Sequence, residues 1–170
     1  PAISKGFTIE RTYYTLDGKK VDLKSAEGGT GQLKQNDRLV VVLKIEATET
    51  GGRILLVDRL PAGLEIENPR LVDSGDIKTL DWLKTTVKPN HTDFRDDRFV
   101  AAFDFFGSSN GRRGRYSGED NREPASSATV AYLVRAVTPG SFVHPAATVE
   151  DMYRADRFAR TATGRLEVKE

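Results

Sequence analysis

Apolar and polar residues alternate with period two through most of this chain. In Arg38–Ala47, residues Leu39, Val41, Leu43, Ile45 and Ala47 share one face, while Val40 and Val42 suggest partial cover on the other. Phe7, Ile9 and the run Arg11-Thr12-Tyr13-Tyr14 alternate similarly. Further strands are predicted over 54–58, 99–105 and 128–135, with shorter ones at 142–143, 147–149 and 164–168. Turn signals separate them: Asp17-Gly18, Gly51-Gly52, Pro61-Ala62-Gly63 and Thr138-Pro139-Gly140. Short strands broken by such turns predict a mainly β chain folded as an antiparallel β-sandwich of fibronectin- or Ig-like build.

One segment departs from the two-residue period. Ile77, Leu80, Trp82 and Leu83 follow helical spacing, Asp76 is placed to cap the start and Pro89 to end the element. The pattern predicts one short helix crossing the sandwich, with Trp82 able to bury a large area. Two stretches read as loose: 25–31, with three glycines in a polar setting, and 107–127, dominated by Gly, Ser, Asn and charge. There is no internal repeat and no sign of a second domain, so residues 1–170 read as one domain.

At 170 residues the chain buries enough surface to form a core without a disulfide or a metal. The formal net charge is only +1, with 26 basic and 25 acidic residues. The signs are interspersed, as in Asp96-Asp97-Arg98, so the surface is mixed and nucleic acid is not expected as a partner. Cysteine is absent, which removes thiol catalysis and cysteine-built zinc sites. No run approaches the roughly 20 apolar residues of a membrane helix. The start at Pro1 without Met suggests an excised piece of a larger protein, with any targeting signal or membrane anchor on the missing part.

The candidate chemistry is thin. Gly111-Arg112-Arg113-Gly114-Arg115-Tyr116 has charge and an aromatic for phosphate or single-stranded nucleic acid, but Glu119, Asp120 and Glu123 offset it. A solvated loop is the better reading. His91 and His144, the two histidines, match no metal-ligand spacing and read as structural. Asp93, Asp96 and Asp97 lack the order of a calcium loop, and Arg95 and Arg98 are interleaved to pair with them. No Gly-x-Ser-x-Gly elbow and no phosphate-binding glycine loop is present. We therefore assign no catalytic, cofactor-binding or metal-ligating residue, and expect no enzyme activity. One constellation remains, Glu150-Asp151-Met152-Tyr153-Arg154 with Asp156-Arg157-Phe158-Ala159-Arg160. Tyr153 and Phe158 can anchor the core with arginines over their faces. Alternatively Tyr153, Arg154, Phe158 and Arg160 form an exposed interface to another domain, Tyr and Arg being preferred anchors there.

The same region carries a resemblance. Tyr132-Leu133-Val134-Arg135-Ala136-Val137-Thr138-Pro139-Gly140, with Pro145, Glu150-Asp151-Met152-Tyr153 and Arg160-Thr161, resembles the closing segment of bacterial alpha-2-macroglobulins. Upstream, Leu60-Pro61-Ala62-Gly63-Leu64-Glu65-Ile66-Glu67-Asn68-Pro69 and Phe94-Arg95-Asp96-Asp97-Arg98 resemble the same terminal domain. The similarity runs from about Phe7 to Val168. It implies a C-terminal macroglobulin-like sandwich within a large protease-trapping inhibitor. Family members are periplasmic, usually lipid-anchored to the inner membrane. Many attach to their protease target through a thioester in a separate domain, against which the terminal domain packs. The resemblance thus implies as partners the other domains of the same chain, a thioester domain where one exists, target proteases of the parent, and a penicillin-binding protein. No thioester can lie within this cysteine-free module. The competing reading is a free-standing adhesion or carbohydrate-binding sandwich, for which Trp82 and Tyr116 are the aromatic candidates.

Overall fold

A computed structural model describes residues 1–49, 51–67, 91–105 and 127–170. Fourteen strands are assigned among them. They are β1 (Ile3–Lys5), β2 (Phe7–Tyr14), β3 (Lys20–Val21), β4 (Thr30–Lys34), β5 (Arg38–Ala47), β6 (Arg53–Arg59) and β7 (Leu64–Ile66), then β8 (His91–Arg95), β9 (Arg98–Asp104), β10 (Ser127–Ala136), β11 (Gly140–His144), β12 (Ala147–Asp151), β13 (Phe158–Arg160) and β14 (Gly164–Lys169). Six form one sheet in the order β1-β13-β12-β6-β9-β8, and five form a second in the order β3-β2-β5-β10-β7. A smaller sheet, β11-β14-β4, closes one side, and its β14–β4 pair is the single parallel ladder among those described.

The two large sheets face each other as an antiparallel sandwich. Their inner residues merge into one core that includes Phe7, Leu43, Ile45 and Val130 from the five-stranded sheet. Ile54, Leu56, Phe99, Phe103 and Val149 enter it from the six-stranded sheet. The rings of Phe99 and Tyr132 meet across the gap with centroids 4.9 Å apart. The long central strands follow the alternation expected of them: Leu39, Val41, Leu43 and Ile45 are all buried. Val40 is buried on the opposite face, in a small second cluster with Ala131 and Leu133.

The helix expected over 76–84, Trp82 and Tyr116 lie outside the described residues, as does the loop expected over 107–127 apart from Ser127, where β10 begins. Among the described residues the helical content is a 3-10 turn, Lys24–Glu27. It overlaps the stretch 25–31 that reads as loose from its glycines; within that stretch Ser25 is fully buried and β4 begins at Thr30. Here the glycines serve close approach. A Cβ on Gly31 would sit 2.7 Å from both Leu23 Cδ1 and Ser25 Oγ.

A buried polar network ties the three sheets together. Arg11 on β2 donates from Nη1 to Asp58 Oδ1 on β6 at 2.5 Å, and from Nη2 to the Pro145 carbonyl at 2.8 Å. The Tyr132 hydroxyl donates to the other Asp58 oxygen. Beside them, His144 bonds through Nε2 to the Tyr13 hydroxyl and through Nδ1 to Ser25 Oγ, each at 2.7 Å. Burial pulls the Arg11 pKa down, but Tyr13 and Asp58 outweigh it and hold the guanidinium above its ordinary value. Burial, and secondarily the Arg11 charge, lowers His144 to about 3, so the ring is neutral. The structural reading of His144 is thereby given its partners.

Candidate interdomain interface

The candidate surface is the tight connection between β12 and β13 and the outer face of those two strands. Along β12, Ala147, Val149 and Asp151 point into the molecule, and Arg157, Ala159 and Thr161 do so on the returning side. All six are buried. The same two-residue alternation therefore carries an aspartate and an arginine inward at the end of the sandwich, where hydrophobic residues would continue it.

Those two charges shape the turn. The Asp151 carboxylate oxygen Oδ1 accepts the backbone N–H of Tyr153 at 2.9 Å and that of Arg154 at 3.3 Å. Its Oδ2 accepts Arg157 Nη1 at 3.1 Å. Backbone bonds close the hairpin, with Asp151 N–H donating to the Arg157 carbonyl and Arg157 N–H to that of Arg154. Met152 N–H reaches across to the Arg53 carbonyl on β6 at 2.9 Å. Arg157 Nη2 donates to the Glu49 carbonyl at 3.3 Å, and its guanidinium lies over the Phe7 ring, 4.7 Å from the centroid. The turn is thus bonded to itself, to β6 and to the β5–β6 connection.

On this platform Tyr153 is 73% exposed and Met152 53% exposed. Arg154 is exposed, with its guanidinium between Glu49 and Asp156 at 3.3 and 3.4 Å. Phe158 and Arg160 sit on the outer face of β13, Phe158 half-buried and Arg160 exposed. Cross-strand pairing sets Phe158 between Lys5 and Glu150, and Arg160 between Ile3 and Thr148. Lys5 Nζ lies 5.4 Å above the Phe158 ring, so a lysine rather than an arginine covers that aromatic. Beside the turn is a hollow of about 410 Å³, lined by Glu150, Met152, Phe158 and Arg160 among others.

The structure therefore brings the four predicted residues to one end and one face, with Tyr153 directed to solvent instead of the core. Met152, Asp151 and Arg157 belong to the same constellation in the sequence, which gives them no role of their own. The signal that finds them is the inward parity of an oppositely charged pair flanking a short polar connection. Other candidates fall elsewhere. Asp93 pairs with Arg95 at 2.8 Å and Asp97 with Arg98 at 3.0 Å around the β8–β9 turn, as their interleaving implies. Among the described residues no three His, Asp or Glu side chains converge to hold a metal, and no helix is long and apolar enough to cross a membrane.

Comparison with known proteins places this geometry. The model of the bacterial alpha-2-macroglobulin MG10 domain matches residues 6–112 and 107–156. An alpha-2-macroglobulin of Xylella fastidiosa (strain Temecula1) is 36% identical over 170 residues, which cover 93% of this chain and 8% of that protein. The crystal structure of Salmonella alpha-2-macroglobulin reacted with methylamine superposes with a TM-score of 0.70 at 30% identity, covering all of this chain and 10% of that one. Trypsin-activated alpha-2-macroglobulin from Escherichia coli gives a TM-score of 0.70 at 29% identity, over 99% of this chain and 11% of that one. The chain spans about a tenth of the length of the relatives it matches.

Proposed function

This chain belongs to the bacterial alpha-2-macroglobulin family, as its MG10 domain, a non-catalytic macroglobulin sandwich, and on that premise we propose that it docks on and gates its neighbours in a protease-trapping parent. The docking surface is the Met152–Tyr153 turn with Arg154, and the outer face of β13 bearing Phe158 and Arg160. The partner is another domain of the same parent chain, the thioester domain where the parent has one. The observation that carries this is Tyr153: a large aromatic, 73% exposed, on a turn held by a buried ion pair. Met152 beside it is exposed as well, and Tyr with a neighbouring Arg is the kind of anchor that interfaces use. The hollow beside it, with Phe158 and a charge of each sign, suits a side chain of an opposing domain.

The relatives supply the assay. A Salmonella relative has been reacted with methylamine and an E. coli relative activated with trypsin. In a parent that carries a thioester, deleting this domain is expected to raise the rate of methylamine incorporation before any protease is added. Tyr153→Ala is expected to do the same in part. An unchanged rate in both would remove the gating role. The periplasmic location and the lipid anchor of the parent are proposals of the same kind. An antibody to this domain should detect a band several times larger than 18.8 kDa in the inner-membrane or periplasmic fraction; a soluble band near that mass would count against them. A penicillin-binding protein as partner rests on the family resemblance alone and would be tested by co-purification.

A further inference from the structure

The residues that meet a partner are not the ones that decide where they stand. We infer that Asp151 and Arg157 are the positioning residues of the docking turn, fixing where Met152 and Tyr153 are presented without touching the partner themselves. The inference rests on the docking reading above and deepens it.

Three observations carry it. Both side chains are almost fully buried, yet the chain between them presents Tyr153, 73% exposed, two residues beyond Asp151. The Asp151 carboxylate divides its oxygens: one holds the amides of Tyr153 and Arg154, the other holds Arg157. Any movement of the carboxylate therefore moves the Tyr153 backbone. The third is the packing around the pair. Gly52, at φ 105, presses its bare Cα toward the carboxylate, and a Cβ there would stand 2.6 Å from Asp151 Oδ2. From the opposite side the Arg157 stem packs over Gly6, where a Cβ would meet its Cγ at 3.2 Å, while the guanidinium lies 4.7 Å from the centroid of the Phe7 ring. The pair is held from both sides.

Stability alone explains this poorly. Burying an arginine and an aspartate costs much of what their attraction returns, and Arg157 Nε is left without a hydrogen-bond partner. A surface hairpin of this length is closed adequately by its backbone bonds and the Asp151 side chain. Arg157 adds a fixed link from the turn to the β5–β6 connection through the Glu49 carbonyl. It specifies one position for the turn.

The test uses a full-length, thioester-bearing parent and two readouts. One is hydrogen exchange of the Tyr153 and Arg154 amides, which needs no docking to be informative. The other is the methylamine rate. Arg157→Gln is expected to speed exchange of these two amides about tenfold or more, the scale of losing a charge-assisted bond that restrains a local opening. It should also raise the methylamine rate in the native parent, while adding nothing when Tyr153 is already alanine. Arg157→Lys, which keeps the charge beside Asp151 but lacks the second arm to Glu49, should fall between. If Arg157→Gln does not fold, Gly52→Ala displaces the same carboxylate from the other side and should give the same pattern. Unchanged turn exchange in either variant overturns the inference. So does a full additional rise in methylamine rate on top of Tyr153→Ala. Faster turn exchange with a methylamine rate indifferent to Tyr153→Ala supports the clamp and overturns the docking reading instead.

Discussion

Two arginine–aspartate pairs are buried among the described residues, and they lie in opposite settings. Arg11 and Asp58 join one large sheet to the other at 2.5 Å, deep in the core. Their remaining partners, Tyr132 and the Pro145 carbonyl, belong to the interior as well. Asp151 and Arg157 meet at 3.1 Å at the end of the sandwich, and their remaining partners are the amides and carbonyls of surface connections. Both arginines leave Nε buried and without a partner. The cost is shared, but what is held in place differs: sheet against sheet in one case, an exposed turn against its frame in the other. Mutations should separate them accordingly.

The largest effect is expected in the core. Asp58→Ala leaves Arg11 charged and unpaired among apolar side chains and strips the Tyr132 hydroxyl of its acceptor. Breaking a buried pair in this way costs about 3–5 kcal/mol, a large share of the roughly 5–15 kcal/mol that holds a domain together. Urea denaturation should show loss of most of the cooperative transition. Replacing both partners with apolar residues of similar volume should recover much of it, since the penalty comes from the orphaned charge. A folded Asp58→Ala with native urea midpoint would mean that the pair is solvated.

Breaking the second pair should cost less, about 1–3 kcal/mol for Arg157→Gln, because Asp151 keeps its two backbone donors, the amides of Tyr153 and Arg154. The decisive contrast is in the readouts. Arg157→Gln should change the turn and the methylamine rate more than its melting temperature implies, whereas Asp58→Ala should change stability first and everything else through it.

Acid sharpens the comparison from the core side. His144 has an ordinary pKa of 6.5 and is lowered to about 3 in the folded chain by burial and by Arg11. The unfolded chain therefore takes up a proton as pH falls below about 6.5, while the folded chain does not until about 3. Stability should be flat with respect to this group above that window and fall through it, with a slope approaching 1.4 kcal/mol per pH unit at about the middle. Urea midpoints between pH 7.5 and 5 check it, and His144→Gln should lose this component. The groups facing the ring are Tyr13, Ser25 and Arg11, none of which titrates in that range to mask it. The clamp has no histidine and should not follow the same profile.

The smallest thermodynamic effects belong to the residues expected to matter most for docking. Tyr153→Ala should shift stability by no more than about 0.5 kcal/mol, the scale for a surface site away from special structure. Arg154→Ala, which breaks only half-exposed pairs with Glu49 and Asp156, should shift it by about as little. Either variant should melt as the native chain does while altering the methylamine rate of a thioester-bearing parent. A large melting shift for Tyr153→Ala would place that ring against structure in the free domain and break the comparison.

Hydrophobic alternation by itself determined where the long strands lie and which way they face. β5 was legible to the residue, and β2, β6, β9, β10 and β14 to within one, because a strand that contributes to a core must alternate whatever it packs against. The sandwich class followed from the turns between them. The family resemblance was legible in the same residues, and the end of the molecule that carries Tyr153, Arg154, Phe158 and Arg160 was marked by charge beside aromatics. Short strands were not legible. β1, β7 and β13 have three residues each, too few to show a period, and β4 was hidden behind glycines that are there for close packing. Only the tertiary structure decided the rest. Tyr13 and His144 are 131 residues apart in sequence and 2.7 Å apart in space, and nothing local distinguishes them from surface polar residues. Whether a ring is core or interface depends on what another strand places against it, which is why Tyr153 emerges into solvent and Phe158 stays half-covered on the same hairpin. Burial and hydrogen-bond partnership are properties of pairs of elements, and a sequence pattern reports on one element at a time.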